Sequence, residues 1–219
     1  DGIDWIQKGL DIYGEVAGDN SGWYVCMPDT NTIAIGANSN SGNGINAGHV
    51  RIYTWDGSLW VQKGNDIDGE FAGDQSGWSL SMPNSGIIAI GGRNNNGNGN
   101  EAGHVRIYKW DGNIWVQACL DIDGEAANDH FGYTVNMPDA NTIAIGAPHN
   151  GGNGFESGHT RVYTNLDFNT NILSNNRTVY NIFPNPTNDL ITLDINGYNG
   201  TIETQVYDLS GRLLQSTTN

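Results

Sequence analysis

Short apolar runs alternate with polar turns over residues 1–164. In "TIAIGA" (32–37), large isoleucines alternate with small residues, so the two kinds of side chain would lie on opposite faces of a strand. The turns carry the residues that tight turns require, such as "PDTN" (28–31) and the Asp-Gly pair of "DGS" (56–58). No segment shows a 3.6-residue apolar period of useful length, which a surface helix would need. The pattern therefore predicts an all-β fold.

The strand pattern occurs three times at an interval of 55 residues, without insertion or deletion. The first copy predicts strands at 22–27, 32–37, 49–55 and 59–64, and the later copies keep the same register. The positions that mark the register are Trp5, Trp60 and Trp115; Gly36, Gly91 and Gly146; His49, His104 and His159; and Tyr53, Tyr108 and Tyr163. Four antiparallel strands per repeat of this length are typical of a β-propeller blade.

The predicted blades span about 10–64, 65–119 and 120–164. The third copy has no fourth strand, whereas "DWIQKG" (4–9) resembles a fourth strand without the three that should precede it. One end of a propeller often completes the blade begun at the other end, and 4–9 would suit that role. Since propellers usually have about four to eight blades, we expect this chain to be a fragment that lacks earlier blades.

One segment carries a family resemblance. "FGYTVNMPDANTIAIGAP" (131–148) resembles the FG-GAP repeat of integrin α-chain-like propellers, with Phe131-Gly132 and Gly146-Ala147-Pro148 at its two namesake motifs. The resemblance implies a propeller over 1–164 and a role in binding or adhesion. The family's calcium loop lies between the first two strands. The corresponding turns here, such as "PDTN", are too short and have too few carboxylates for the six to eight oxygens of calcium, so that site is not transferred.

An acidic phrase joins each predicted blade to the next. It reads "DIDGEFAGDQSGW" (66–78) in the second copy, with related forms at 11–23 and 121–133. Carboxylates two residues apart around a glycine favour calcium binding, whereas Asp and Gly are also typical of an ordinary turn. Tyr13 replaces one aspartate in the first copy, which favours the turn. The calcium hypothesis concerns the two copies that keep every carboxylate: Asp66, Asp68, Glu70 and Asp74, and Asp121, Asp123, Glu125 and Asp129.

Other polar and aromatic residues are also copied into the repeats. The motif Gly-His-x-Arg-x-Tyr recurs in the predicted third strands, where a structural role in contacts between blades is favoured over catalysis. The Asn- and Gly-rich loops beginning at residues 38, 94 and 149 are either hydrated surface loops or contacts for sugar hydroxyls. Trp55 and Trp110 are either stacking platforms for a ligand or anchors for blade packing.

The composition excludes some function classes. The formal net charge is −15 with only 9 Lys and Arg residues, which argues against nucleic acid and anionic lipid as partners. No apolar run approaches the ~20 residues of a membrane-spanning helix. Cys26 and Cys119 occupy different repeat positions, and their spacing supports no disulfide. No catalytic motif occurs, so we expect no enzymatic activity.

The residues after the repeats form a polar linker (165–178) and a tail (179–219). The tail resembles the type A C-terminal sorting domain of the Bacteroidota type IX secretion system. The matching residues are Phe183, Pro184, Asn185, Pro186 and Gly211-Arg212-Leu213-Leu214, together with 190–193 and 206–208. This resemblance implies a small β-sandwich, a contact with the secretion machinery and a secreted or cell-surface location. The family's last strands are missing here, which predicts a truncated domain.

Three functions are compatible with these patterns. The first is a secreted or cell-surface binding or adhesion module for a glycan or protein. The second is a structural repeat displayed without a dedicated ligand. The third is a fragment of a secreted enzyme that acts on polysaccharide, with its active residues in other blades.

Overall fold

A computed structural model describes residues 4–164 in full, and the backbone of four short strands beyond them. Those four strands are β14 (Asn181–Phe183), β15 (Thr192–Asp194), β16 (Glu203–Tyr207) and β17 (Leu213–Thr218). The chain divides into two compact units, Asp1–Thr170 and Asn171–Asn219. The described residues of both units form strands and turns without a helix, which confirms the all-β prediction. No described helix could therefore span a membrane.

The first unit contains three antiparallel sheets, one for each 55-residue repeat. Sheet 1 consists of β1 (Tyr24–Asp29), β2 (Thr32–Ala37), β3 (His49–Trp55), β4 (Trp60–Gln62) and β5 (Ile67–Asp68). Sheet 2 consists of β6 (Ser76–Asn84), β7 (Ile87–Gly92), β8 (His104–Trp110), β9 (Trp115–Gln117) and β10 (Ile122–Asp123). Sheet 3 consists of β11 (Thr134–Asp139), β12 (Thr142–Ala147) and β13 (His159–Thr164). In each sheet the first three strands pair in sequence order.

The fourth position of sheets 1 and 2 is shared by two short strands. β4 pairs with Tyr53–Trp55 of β3, and β5 pairs with His49 and Val50 of the same strand. Between them Lys63 N still donates to Ile52 O at 2.7 Å. The edge strand is thus interrupted by an irregular segment and ends within the acidic phrase. The sequence predicted that phrase as a connector without a strand, so its paired residues Ile67 and Asp68 were missed.

Residues 4–9, predicted as a fourth strand, are not part of a strand in the structure. The equivalent β4 obtains its backbone partners from β3, the strand before it. The predicted first strand at 22–27 also begins two residues later, at Tyr24. Gly22 has a φ of 90°, outside the range of a β-strand, so the chain turns there before it pairs.

The three sheets stack face to face in chain order. The face of sheet 1 that contains Ala34, Val50 and Ile52 packs on the face of sheet 2 that contains Leu80 and Ile90. The opposite face of sheet 2 packs on sheet 3 in the same way, through the residues Ile87, Ala89, Val105, Ile107, Val135, Met137, Ile143 and Ile145. In sheet 2 the forward face therefore contacts the next repeat and the backward face contacts the previous one, and the equivalent faces of sheets 1 and 3 take the same names. This arrangement explains why β7 is apolar on both sides.

The repeated glycines allow neighbouring repeats to approach closely. A Cβ atom on Gly36 would collide with the carbonyl oxygen of Gly77, and one on Gly91 would collide with that of Gly132. Isolated parallel bridges also join neighbouring repeats, from Gly48 to Ser76 and from Gly103 to Phe131. The glycine that the sequence marks at every 55th position is therefore required where the backbone of one repeat meets that of the next.

Candidate functional site

The acidic phrase is a connector that hydrogen bonds to the polar loop of the preceding repeat. Ser76 N donates to Ala47 O at 2.9 Å, and Gly69 N donates to Gly48 O at 2.8 Å. Within the phrase, Asp74 Oδ2 accepts hydrogen bonds from Glu70 N and Phe71 N. Asp19 and Asp129 accept equivalent backbone bonds in the other copies. These three buried aspartates therefore have the turn role that one of the two interpretations predicted.

Glutamates and opening aspartates of the phrases lie beside the histidines of the third strands. In sheet 1, Asp66 Oδ2 is 3.4 Å and Glu15 Oε2 is 3.9 Å from His49 Nδ1. In sheet 2, Asp121 Oδ2 is 3.3 Å and Glu70 Oε2 is 3.9 Å from His104 Nδ1. Each cluster therefore combines the glutamate of one phrase with the aspartate that opens the following phrase.

A glutamine and an arginine fix these carboxylates. Gln117 Nε2 donates to the second oxygen of Asp121 at 2.6 Å, as Gln62 does to Asp66. Arg106 Nη2 donates to Asp68 O at 2.6 Å, and its Nη1 is 3.9 Å from Glu70 Oε1. In sheet 2, the Gln of "WVQ" therefore holds the following acidic phrase, and the Arg of "HVRIY" holds the preceding one against the third strand.

The electrostatics of the cluster in sheet 2 differ from one aspartate to the next. Burial opposes ionisation of Asp121, but the neighbouring His104, Gln117 and Arg106 together outweigh it and lower the pKa of this carboxyl. Burial and then the nearby Asp121 charge raise the pKa of Asp123, against a smaller opposing effect of His104. Asp121 is therefore the better anionic ligand of the two.

Three groups in the described residues place one donor atom from each member within 4.8 Å of the others. They are Glu15, His49 and Asp66; Glu70, Asp74 and His104; and His104, Asp121 and Asp123. Each group includes a histidine, and none is built from the carboxylates of one phrase alone. Glu125 lies beside His159 (3.6 Å) and pairs with Arg161. Calcium binding stays a prediction, but the four carboxylates of a phrase do not converge on one point.

Trp55 and Trp110 lie at the outer edge of sheets 1 and 2, and each packs on a second tryptophan. The ring centroids of Trp110 and Trp115 are 5.3 Å apart. Lys63 Nζ lies 5.0 Å from the Trp110 ring, and Trp115 Nε1 donates to the carbonyl oxygen of Lys63 at 2.8 Å. Trp55, Trp60 and Lys8 repeat this arrangement. Such contacts between repeats favour the packing interpretation, and ligand binding by Trp55 and Trp110 stays a prediction.

A different row of aromatic side chains lies beside the polar loops. Trp23 and Trp78 have ring centroids 4.7 Å apart, and Trp78 and Tyr133 are 5.5 Å apart. The guanidinium carbon of Arg93, just before the second polar loop, is 3.5 Å from the Trp78 ring centroid. Trp23 is 49% exposed. Sequence analysis missed this aromatic row, although Gly-Trp, Gly-Trp and Gly-Tyr at the 55-residue step were the available signal.

The polar loops use much of their hydrogen-bonding capacity internally. Asn40 Oδ1 accepts from Gly42 N, and Asn95 Oδ1 accepts from Gly97 N, both at 2.8 Å. Asn43 Nδ2 donates to Gly69 O of the next acidic phrase at 2.7 Å. These asparagines therefore shape the loops and join neighbouring repeats.

Two cavities adjoin sheet 3. One of about 680 Å³ lies between the third acidic phrase and the third polar loop, where His130 and His149 have ring centroids 4.8 Å apart. The other, of about 460 Å³, is lined by Tyr133, Gly146, Gly158 and His159 among others. Gly36 and Gly91, the counterparts of Gly146, meet the backbone of the next repeat. The second cavity therefore corresponds to the place where a following repeat would dock.

The comparison with known families identifies the tail. Residues 181–219 match the family model described as the secretion system C-terminal sorting domain. The predicted sorting residues Pro184, Asn185, Pro186 and Gly211 lie outside the described residues, as does the linker 165–178. The described strands of this segment form two antiparallel pairs, β14 with β15 and β16 with β17.

No curated protein matches the chain. The family match covers the tail and leaves the three sheets without an assigned family. The match establishes where the protein is located and that it interacts with the secretion machinery. The chain carries the C-terminal sorting domain of type IX secretion, and is therefore a protein that the type IX machinery exports to the cell surface or the extracellular space.

Proposed function

We propose that the three sheets are blades of an FG-GAP-like β-propeller that binds neutral glycans at the surface of a Bacteroidota-type cell. The observation that carries this proposal is the aromatic row Trp23–Trp78–Tyr133, which crosses all three repeats. Aromatic side chains on a rigid scaffold supply much contact area at a low cost in conformational entropy. Display outside the cell gives such a surface access to ligands.

The position of the row supports a polar, extended ligand. Trp23 N donates to Gly36 O near the end of β2, where the first polar loop follows. Asn20 Nδ2 donates to Ser39 Oγ at 3.0 Å, so the turn before Trp23 contacts that loop. Apolar rings and amide or hydroxyl groups thus lie at the same edge of the sheets. Sugars offer both apolar C–H faces and hydroxyl groups, and the net charge of −15 disfavours anionic polymers.

The stacking of the sheets supports the propeller. Each forward face covers the next backward face, and β1, β6 and β11 are neighbours along the stack. A propeller repeats this relation around an axis. Adhesion through an aromatic edge would then use several blades at once, which suits a chain of sugar units.

A glycan array probed with the whole chain tests this proposal. We expect binding to neutral oligosaccharides that falls at least tenfold in Trp23→Ala and in Trp78→Ala. Trp110→Ala is the matched control, because Trp110, at the end of β8, packs on Trp115 and on Lys63 of the preceding repeat, away from the aromatic row. If binding were lost in Trp110→Ala but kept in the folded Trp23→Ala variant, the ligand site would lie at Trp55 and Trp110, the residues that the sequence suggested. Failure of the folded wild-type chain to bind any glycan would refute the proposal.

A further inference from the structure

The histidine clusters between repeats have the composition of a transition-metal site. His49 with Glu15 and Asp66, and His104 with Glu70 and Asp121, each bring one imidazole nitrogen near two carboxylates. We propose that each of these two clusters binds one divalent transition-metal ion of the zinc type, and that the ion joins successive repeats. This site is separate from the aromatic row and does not depend on the proposed glycan function.

A carboxylate cluster alone would not support a metal site, but the histidines add an independent observation. His104 is 1% exposed, and neither of its ring nitrogens has a hydrogen-bond partner of adequate geometry in the described residues. Asp74 is fully buried, its Oδ1 atom has no partner there either, and it shares a group with His104 and Glu70. Buried polar atoms are nearly always paired in folded proteins. An ion bound at His104 Nδ1, the ring nitrogen that faces Glu70 and Asp121, would satisfy that atom.

The donor atoms select the class of metal. Calcium prefers six to eight oxygen ligands, whereas an imidazole nitrogen with two carboxylates suits zinc and its neighbours. Glu70 and Asp121 are partly exposed, with side-chain exposures of 35% and 24%. An ion can therefore reach the cluster from solvent, and water can complete its coordination.

The residues around the ligands determine the affinity that we expect for the metal ion. Gln117 orients Asp121, and Arg106 lies 3.9 Å from the outer oxygen of Glu70. Such outer partners orient ligands in metal sites. The arginine also offsets one of the two carboxylate charges, so we expect affinity in the micromolar range and not tighter.

The third repeat is a natural control. Glu125 and His159 lie 3.6 Å apart, but among the described residues no third ligand groups with them. Arg161 also pairs directly with Glu125. The two complete clusters therefore predict two ions per chain, and His159→Asn should leave that number unchanged.

Zinc titration of the tag-free full chain by calorimetry tests the proposal. All proteins should carry His130→Asn and His149→Asn, because two histidine rings 4.8 Å apart would compete for added zinc. We expect two Zn²⁺ per chain, one in Asp121→Asn, and none when Asp66→Asn is added. Asp66 and Asp121 are partly exposed, so these conservative variants should fold. Cobalt absorption bands that disappear with the same substitutions would give a second readout.

Two results would overturn the proposal. One is the absence of binding at a hundred micromolar Zn²⁺ in the folded chain. The other is a stoichiometry that Asp66→Asn and Asp121→Asn do not change. In either case the clusters would be ion pairs that only stabilise the contact between repeats.

Discussion

The buried side chain of Arg106 contacts several residues of the fold. It is 5% exposed, donates to the backbone of Asp68, and lies beside Glu70 from the same acidic phrase. Its guanidinium carbon is also 5.5 Å from the Tyr108 ring centroid. The residue therefore connects the third strand of one repeat to the connector that precedes that repeat.

Arg106→Met should destabilise the chain by about 1.5–3 kcal/mol, the usual cost of a lost hydrogen bond from a charged group. The matched change Arg161→Met should cost under about 1 kcal/mol, because the Arg161 side chain is 39% exposed and its partner Glu125 is 46% exposed. Urea unfolding of both variants measures the difference. Equal losses would show that Arg106 contributes no more than a surface ion pair.

The backbone contacts between strands of neighbouring repeats depend on glycine. Gly91 lies in the middle of the apolar strand β7, and the oxygens of Gly132 and Ser79 occupy the space that a Cβ atom would need. No rotamer change can move the Gly132 carbonyl, because it belongs to the next repeat's backbone. Sheets 2 and 3 would have to separate to admit a methyl group.

Gly91→Ala should therefore destabilise the stack by about 1–3 kcal/mol through overpacking. Gly86→Ala is the control, since its added Cβ would meet only Asn84 Oδ1, at 3.4 Å, and its φ is not positive. Thermal and denaturant unfolding should rank the variants with Gly91→Ala well below Gly86→Ala. If both variants unfolded at the same denaturant concentration, the close approach of β7 to the next repeat would not be important for stability.

The accuracy of the sequence predictions varied with the range of the interactions involved. The second and third strands of all three repeats occur at the predicted residues, because the period-2 pattern of a strand is a local signal that does not depend on distant contacts. The pairing of Ile67–Asp68 with β3 could not be predicted, since it depends on how the edge strand returns after its interruption.

The candidate site was harder to predict than the strands. Glu15, His49 and Asp66 are close in space but far apart in sequence, so the spacing within a phrase suggested a different ligand set. The aromatic row could have been found, because its members follow the 55-residue step. Its significance depended on the distance between neighbouring repeats, which the sequence does not show.

At the scale of the whole first unit, the two ends of the stack differ. The backward face of sheet 1 retains the apolar residues that are buried in sheet 2: Val25 is 54% exposed where Leu80 is 2% exposed, and Met27 is 52% exposed where Met82 is 6% exposed. The forward face of sheet 3 is more polar. Thr160 replaces the Val50 of sheet 1, and Val162, 64% exposed, replaces Ile52. The backward face of sheet 1 would therefore gain more from burial against another surface than the forward face of sheet 3.

The chain should accordingly self-associate at micromolar concentration through the backward face of sheet 1. Val25→Lys combined with Met27→Lys should abolish this association without lowering the melting temperature, because both side chains are already half exposed. Val162→Lys, at the other end of the stack, is the control and should have the smaller effect. Sedimentation velocity over a range of concentrations distinguishes the cases. A wild-type chain that stays monomeric at these concentrations would contradict the prediction and would show that this apolar face is stable in water without a partner surface.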